Sequence, residues 1–453
     1  MAGSHMLLNT PTRAGVIALF AVAAFTGPYL AHAAAPGYEI QLGVIESDNI
    51  QLLPSGGSDE TIGVAELGFT WRDRRPWLDV DIDADVAHLN YFQHTYSNEF
   101  VGNALGAVRI NLAPDLLSWE IADNFGQAPV NPLAPITPDN RENINYFSTG
   151  PTLSLPLGQT TQLNVIGQYG RVTYQESPID STIVTGGVGL LHELSPASSI
   201  SINARDESIR FANDQLNPNY DSQEAFARFD TKGSRTELGV DLGYSRLLHM
   251  PGAGGGIPVG RLDLSRRVSP TSTIGVALGH DYSDGADSFR LVQTLGGATL
   301  NTQPIVAAGA PFVSNYATLA WNFKYVRTTL DLSASYFRDR YQTDATLNNE
   351  RTVVTALAGR QVTPVVQLAL TEYLVRWQFD TEDQNATASD TGLQLTWRAG
   401  SHLSVFLAYY LAKGSGNAQT YDYTQNRLWL SIGYGRAAEV PPGPALPRLP
   451  QMQ

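Results

Sequence analysis

From residue 38 onward, apolar and polar positions alternate in runs of about 10 residues, and each run ends in a cluster of turn-forming residues. Alternation with period two puts successive side chains on opposite faces of a strand. In 77–86 one face is Leu78, Val80, Ile82, Ala84 and Val86, and the other is Asp79, Asp81, Asp83 and Asp85. In 235–245 the two sets are Leu238, Val240, Leu242, Tyr244 and Glu237, Gly239, Asp241, Gly243. The split recurs in Ala317/Leu319/Trp321/Phe323, Leu330/Leu332/Ala334/Tyr336, Leu403/Val405/Leu407/Tyr409 and Leu428/Leu430/Ile432/Tyr434. One face is mostly apolar, the other polar or small.

A soluble β-sandwich alternates too, so the connectors decide. Short ones, such as Pro156-Leu157-Gly158 and Lys232-Gly233-Ser234, alternate with long ones at 127–141, 213–222, 284–312 and 380–389. A sandwich gives evenly spaced turns, whereas short periplasmic turns alternating with long extracellular loops mark an outer-membrane barrel. The fold predicted is therefore all-β: a transmembrane antiparallel β-barrel of about 18–20 strands spanning 34–436. The sheet must close, because an open edge in hydrocarbon leaves backbone groups unpaired at several kcal/mol each. Trp71, Trp77, Tyr244, Tyr336 and Trp397 sit where interfacial aromatic girdles are expected. Only 366–379 breaks phase: Val366, Leu368 and Leu370 are in one register, Tyr373, Val375, Trp377 and Phe379 in the other. A bulge near 370–372 would reconcile them.

The ends fit an exported protein. Residues 1–6 carry the Gly3-Ser4-His5-Met6 run that a cloning site leaves before a native start. Residues 7–33 read as a signal peptide: Arg13, an apolar stretch at 14–25, and the small-x-small Ala31-His32-Ala33. About 12 apolar residues is short against the roughly 20 that a spanning helix needs, and nothing later in the chain is apolar for longer. Strand pattern begins soon after residue 33, which leaves no room for an N-terminal plug domain. The tail at 437–453 is rich in Pro and reads as a disordered periplasmic extension.

The chain has no cysteine, so packing and hydrogen bonds alone hold it together. Its net charge of −14 argues against nucleic acid as a partner. The lysines are only Lys232, Lys324 and Lys413, the other basic residues being Arg. Arg suits the phosphates of lipopolysaccharide or acidic sugars, although a genomic bias gives the same composition. The expected surroundings are outer-membrane lipid and lipopolysaccharide.

Two segments carry a resemblance: Glu46-Ser47-Asp48-Asn49-Ile50 with the Gly/Ser loop after it, and 119–127, Trp-Glu-Ile-Ala-Asp-Asn-Phe-Gly-Gln. Both are similar to segments of the β-barrel porins found beside exopolysaccharide and PEP-CTERM/exosortase gene clusters. In that family the first segment often carries Thr and Tyr before the Asp-Asn pair, and this chain lacks them. The resemblance implies a channel or assembly protein for secreted polysaccharide, with periplasmic export components as partners and no catalytic residues to transfer.

The sharpest local feature is the ladder Asp79, Asp81, Asp83 and Asp85. If Val80 and Ile82 face lipid, these carboxylates line one lumen wall over roughly 20 Å and would favour cations. The plainer reading pairs them with arginines on adjacent strands, such as Arg109. The same parity turns Arg205, Arg261, Arg267 and Arg398 inward, where they would oppose the acidic wall and set a transverse field. No catalytic residue, metal site or cofactor is expected. His280-Asp281 alone invites an enzyme reading, a hydrolase at the barrel rim. An uptake channel for small or hydrophobic solutes is the other alternative to a polysaccharide conduit.

Overall fold

The computed structural model describes residues 36–250, 255–294, 305–380, 384–417 and 421–436, with the side chains of all but 291–294. Residues 1–6, the segment 7–33 that reads as a signal peptide, and the tail at 437–453 lie outside the described residues.

The first strands are β1 (Gly37–Ser47), β2 (Glu60–Arg75), β3 (Leu78–Tyr91), β4 (Glu99–Ala113), β5 (Leu117–Pro129), β6 (Arg141–Pro156) and β7 (Thr161–Tyr174). They continue as β8 (Ser181–Ser195), β9 (Ser198–Phe211), β10 (Tyr220–Lys232), β11 (Thr236–Leu248), β12 (Gly256–Ser269), β13 (Ser272–Ser283) and β14 (Phe312–Tyr325). The last are β15 (Thr328–Tyr341), β16 (Asn349–Thr363), β17 (Val366–Phe379), β18 (Asn385–Arg398), β19 (Leu403–Gly416) and β20 (Tyr423–Arg436). Each pairs antiparallel with its neighbours in sequence, and β1 pairs with β20, so the 20-stranded sheet closes into a barrel. Closure satisfies every edge, as a membrane-spanning sheet requires. Twenty strands tilted by 35–45° enclose a cylinder roughly 40 Å across between backbones.

The Ser47-Asp48-Asn49 run fastens the closing seam. Asn49 Nδ2 donates to the carbonyls of Thr424 and Leu53, at 3.0 and 2.8 Å, and Gln425 Nε2 donates to Ser47 Oγ at 2.9 Å. Asp48 accepts from the backbone N–H of Asn426 at 2.7 Å. These side chains hold the first strand to the last where chain connectivity gives no help. The second segment is likewise structural, joining β5 to β6: Trp119 Nε1 donates to Thr149 Oγ1, and Gln127 Nε2 to Asn143 Oδ1.

The alternation resolves into an outward apolar face and a lumen face. Leu42, Ile202 and Leu242 are 63%, 69% and 65% exposed, far outside the range of core residues, because the solvent for this face is lipid. Outward aromatics cluster at two levels: Trp321, Trp397 and Tyr434 toward the short turns, and Tyr169, Tyr244 and Tyr336 toward the long connections.

Two expectations need correction. β17 has no bulge at 370–372, since its register with β16 and β18 runs unbroken through Leu370, Thr371 and Glu372. Instead the chemistry of its faces inverts along the strand. Leu368 and Leu370 point to lipid, while higher up Val375, Trp377 and Phe379 turn inward, buried, and Arg376 and Gln378 point out. Register also keeps Val80 and Ile82 on the outward face, beside Asp73 and Trp71 of β2, but both are buried, 1% and 6% exposed.

Candidate functional site

The long connection between β13 and β14 turns into the barrel. Asp284 opens it by capping helix α1 (Gly285–Thr294), its Oδ1 accepting the Asp287 N–H at 2.9 Å. Its Oδ2 accepts from the Tyr220 hydroxyl of β10 at 2.9 Å. Farther along the helix, Arg290 donates to the Tyr146 hydroxyl and lies over its ring, 4.7 Å from the centroid. Tyr146 belongs to β6, seven strands from β13 around the wall. That contact can only be made through the lumen.

Apolar residues complete the closure. Ala286, Phe289, Ile305 and Val306 are buried in one core with Val172, Tyr174, Ile209 and Tyr220 from one arc of the wall and Phe312, Phe337, Tyr341 and Trp377 from another. This core is why β17 inverts: near the long connections the apolar side chains have a partner inside the barrel. A Cβ at Gly309 would stand 2.7 Å from Asn217 Oδ1 and 2.9 Å from the Phe211 ring, so a side chain there would have to displace these two. Ala307, Ala308 and Ala310 pack beside it, partly buried. Gly296 and Gly297 lie outside the described residues.

Beneath this closure the lumen wall is polar. The structure places Asp79, Asp81, Asp83 and Asp85 on the lumen face of β3 and pairs three of them with β2. Arg72 reaches Asp81 at 3.1 Å and Asp83 at 3.3 Å, and Arg74 reaches Asp79 at 3.7 Å. Arg109 forms its ion pair with Glu120 instead. The strand continues through Arg75, where 72–76 reads as a turn in sequence, and this extension is what sets Arg72 and Arg74 opposite the ladder. Asp85 shares the lumen face with Glu39 and Glu66 on β1 and β2.

Arg205 and Arg261 also face inward, within a network across β9 to β13. Arg205 meets Glu207 and Glu224, and Arg261 meets Glu224, Asp241 and Asp281, the last at 2.6 Å. Their charge is compensated on the spot. Arg267 and Arg398 stand exposed near the short turns and do not join that network. His280 and Asp281 diverge, as neighbours in a strand must: the His280 ring bonds Asn315 Oδ1 at 2.7 Å on the outward face, and Asp281 turns inward to Arg261. Among the described residues, no three His, Asp or Glu side chains converge as metal ligands.

The groups that hold the closure, Asp284, Arg290, Tyr146 and Tyr220, carry no motif that sequence reading would single out. The length of 284–312 and the phase change in 366–379 were their only traces.

Burial, then the neighbouring Asp287, push the Asp284 carboxyl up to about 7. Facing it are Asp287 and Arg290 from the helix, Glu207 from β9, and Tyr220 and Tyr174 from β10 and β7. A raised carboxyl pKa means that docking is favoured while Asp284 is protonated, and that this contribution fades as pH rises from about 4 through 7. Single-channel recordings should therefore show more openings at pH 8 than at pH 5, and Asp284→Asn should flatten the dependence. A variant with the same pH profile as the parent would remove Asp284 from the control.

No family model matches the sequence, and no curated relative matches it either. Solved structures with similar architecture include the siderophore receptor PirA from Pseudomonas aeruginosa, with a TM-score of 0.43 at 8% identity over 89% of this chain and 81% of that one. The siderophore receptor PirA from Acinetobacter baumannii gives 0.44 at 7% identity over 89% and 81%. The FrpB iron transporter from Neisseria meningitidis gives 0.42 at 10% identity over 89% and 82%. Likeness at this level carries no argument about what passes through the lumen.

Proposed function

We propose that this protein is a gated conduit of the outer membrane, and that secreted polysaccharide is what it passes. The observation that carries the conduit reading is a wide barrel with a polar lumen, closed at one end by a connecting segment and not by the wall itself. Segments of this length in compact folds are usually functional or disordered, and the described part of this one is ordered, held by a few hydrogen bonds and a shared apolar core, which are contacts that can be exchanged. The polysaccharide reading draws support from the resemblance at 46–50 and 119–127, and from a lumen rich in hydroxyl, amide and paired charged groups suited to a hydrated polymer.

The apolar core around residues 305–312 favours a second reading, uptake of hydrophobic solutes through a path opened when the segment moves. Cells of the source bacterium lacking this protein should accumulate polymer in the periplasm and lose it from the surface. Normal surface polymer together with lost uptake of an apolar dye would overturn export and leave the second reading standing.

A further inference from the structure

The cations that line the lumen differ in their partners from a set on the outward face. Those in the lumen, such as Arg72, Arg205, Arg228, Arg261 and Arg427, each lie against a carboxylate. On the outward face toward the long connections stand Arg171, Arg246, Arg376 and Lys413, all exposed. Among the described residues, no carboxylate oxygen lies within 4.0 Å of any of these four. Arg246 instead donates twice to Gln223 Oε1, at 3.0 and 2.6 Å. Set side by side on the outward face of a chain with net charge −14, these four cations suit a partner that brings negative charge from outside it.

Their level on the barrel identifies that partner. Tyr169-Gly170-Arg171, Tyr244-Ser245-Arg246 and Tyr336-Phe337-Arg338 repeat one order on β7, β11 and β15. In each an exposed outward tyrosine precedes an outward arginine that lies about 7 Å nearer the long connections. The register continues the belt. Arg338 faces Glu350, which faces Gln378, so Arg376 lies two residues lower on β17. Arg376 faces Thr387, which faces Ser415, so Lys413 lies two residues lower again on β19. A drop of one residue per strand corresponds to a tilt of about 35°, the stagger a closed barrel imposes, so these groups share one height around the axis. That height is just above an aromatic girdle, where hydrocarbon gives way to headgroups.

We propose that Arg171, Arg246, Arg376 and Lys413 form a belt that binds the phosphates of the outer-leaflet glycolipid, lipid A, and so sets the protein's depth in the membrane. Guanidinium forks match phosphate in a bidentate manner, and the tyrosines beneath them sit against the sugar and upper acyl region. The belt rests on the membrane-barrel fold and is independent of what crosses the lumen.

The test uses the full chain refolded in detergent and titrated with phosphorylated lipid A, enzymatically dephosphorylated lipid A, or inorganic phosphate. Bound lipid is counted by native mass spectrometry, and unfolding temperature is read from the heat-dependent gel shift. Phosphorylated lipid A should bind and raise the unfolding temperature, and the other two probes should do neither. Combining Arg171→Gln, Arg246→Gln and Arg376→Gln should weaken lipid A binding by about tenfold or more while the lipid-free unfolding temperature holds. If the triple variant does not refold, the three Arg→Lys replacements, which keep the charge, should bind more weakly than the parent and more tightly than any single Arg→Gln. Equal binding of dephosphorylated lipid A, a matching shift with inorganic phosphate, or full binding by the variants would overturn the proposal.

Discussion

Replacing residues 286–306 with a short Gly-Ser linker should turn a barrel that conducts rarely into one that stays open in planar bilayers. Time-averaged conductance should rise by roughly tenfold or more, because nothing else in the described lumen reaches across it and the lower wall is polar enough to stay hydrated. The opened pore should prefer cations, and the source of that preference differs from what the aspartate ladder alone suggests. Arg72 and Arg74 offset Asp79, Asp81 and Asp83. Among the described residues, Asp85 and Glu66 have no such partner, and Glu66 Oε2 is buried without a hydrogen bond. Asp85→Asn with Glu66→Gln should therefore cut cation preference more than neutralising Asp79, Asp81 and Asp83 together. Reversal-potential measurements under a salt gradient decide between the two sets. A linker variant that stays shut would mean that the lumen is blocked by something other than this segment, and the gated-conduit reading would fall.

Asp339→Asn should destabilise the barrel by about 3–5 kcal/mol in denaturant titrations, the cost of leaving a buried charge without its counter-ion. Arg351 is fully enclosed, 2% exposed, and among the described residues Asp339 is the only carboxylate that meets it, at 3.7 Å. Its guanidinium lies over the rings of Phe337 and Trp377, 4.3 and 5.1 Å from their centroids, and its Nε has no hydrogen-bond partner. Asparagine keeps an acceptor for the Ser314 hydroxyl, which now donates to Asp339 at 2.8 Å, so the loss isolates the charge. Adding Arg351→Met should restore most of the stability, since apolar groups of similar volume replace buried ion pairs at little cost. This pair stands in the apolar core that receives residues 305–312, so its energetics report whether that half of the lumen is dry. A loss below about 1 kcal/mol for Asp339→Asn would mean that water reaches Arg351, and the core would have to be redrawn as a wet vestibule.

The class of fold was legible in the sequence because period-two alternation and the short-long rhythm of connectors are local signals, repeated often enough to average out exceptions. So were the inward parity of Asp79 to Asp85 and of Arg205 and Arg261, which follows from alternation once one face is assigned to lipid. Pairing across strands was not legible. Arg72 and Arg74 meet the ladder, and Arg109 does not, because register and the true end of β2 decide which residues stand opposite each other. Neither quantity is written in a single strand's pattern.

The closure of the lumen was visible only as a length, 284–312. The hydrogen bonds that seat it join Asp284 to Tyr220 and Arg290 to Tyr146, residues 64 and 144 positions apart in the chain. The phase break in 366–379 suggests a bulge when every apolar residue is assumed to seek lipid. It is a regular strand whose upper residues found a second apolar solvent in the inward segment. Sequence alone determined the alternation, and with it a barrel in a membrane. Only the tertiary structure decided which side of each strand is apolar at each height, because that depends on what fills the lumen, and the filling comes from a segment that lies up to seven strands away around the wall.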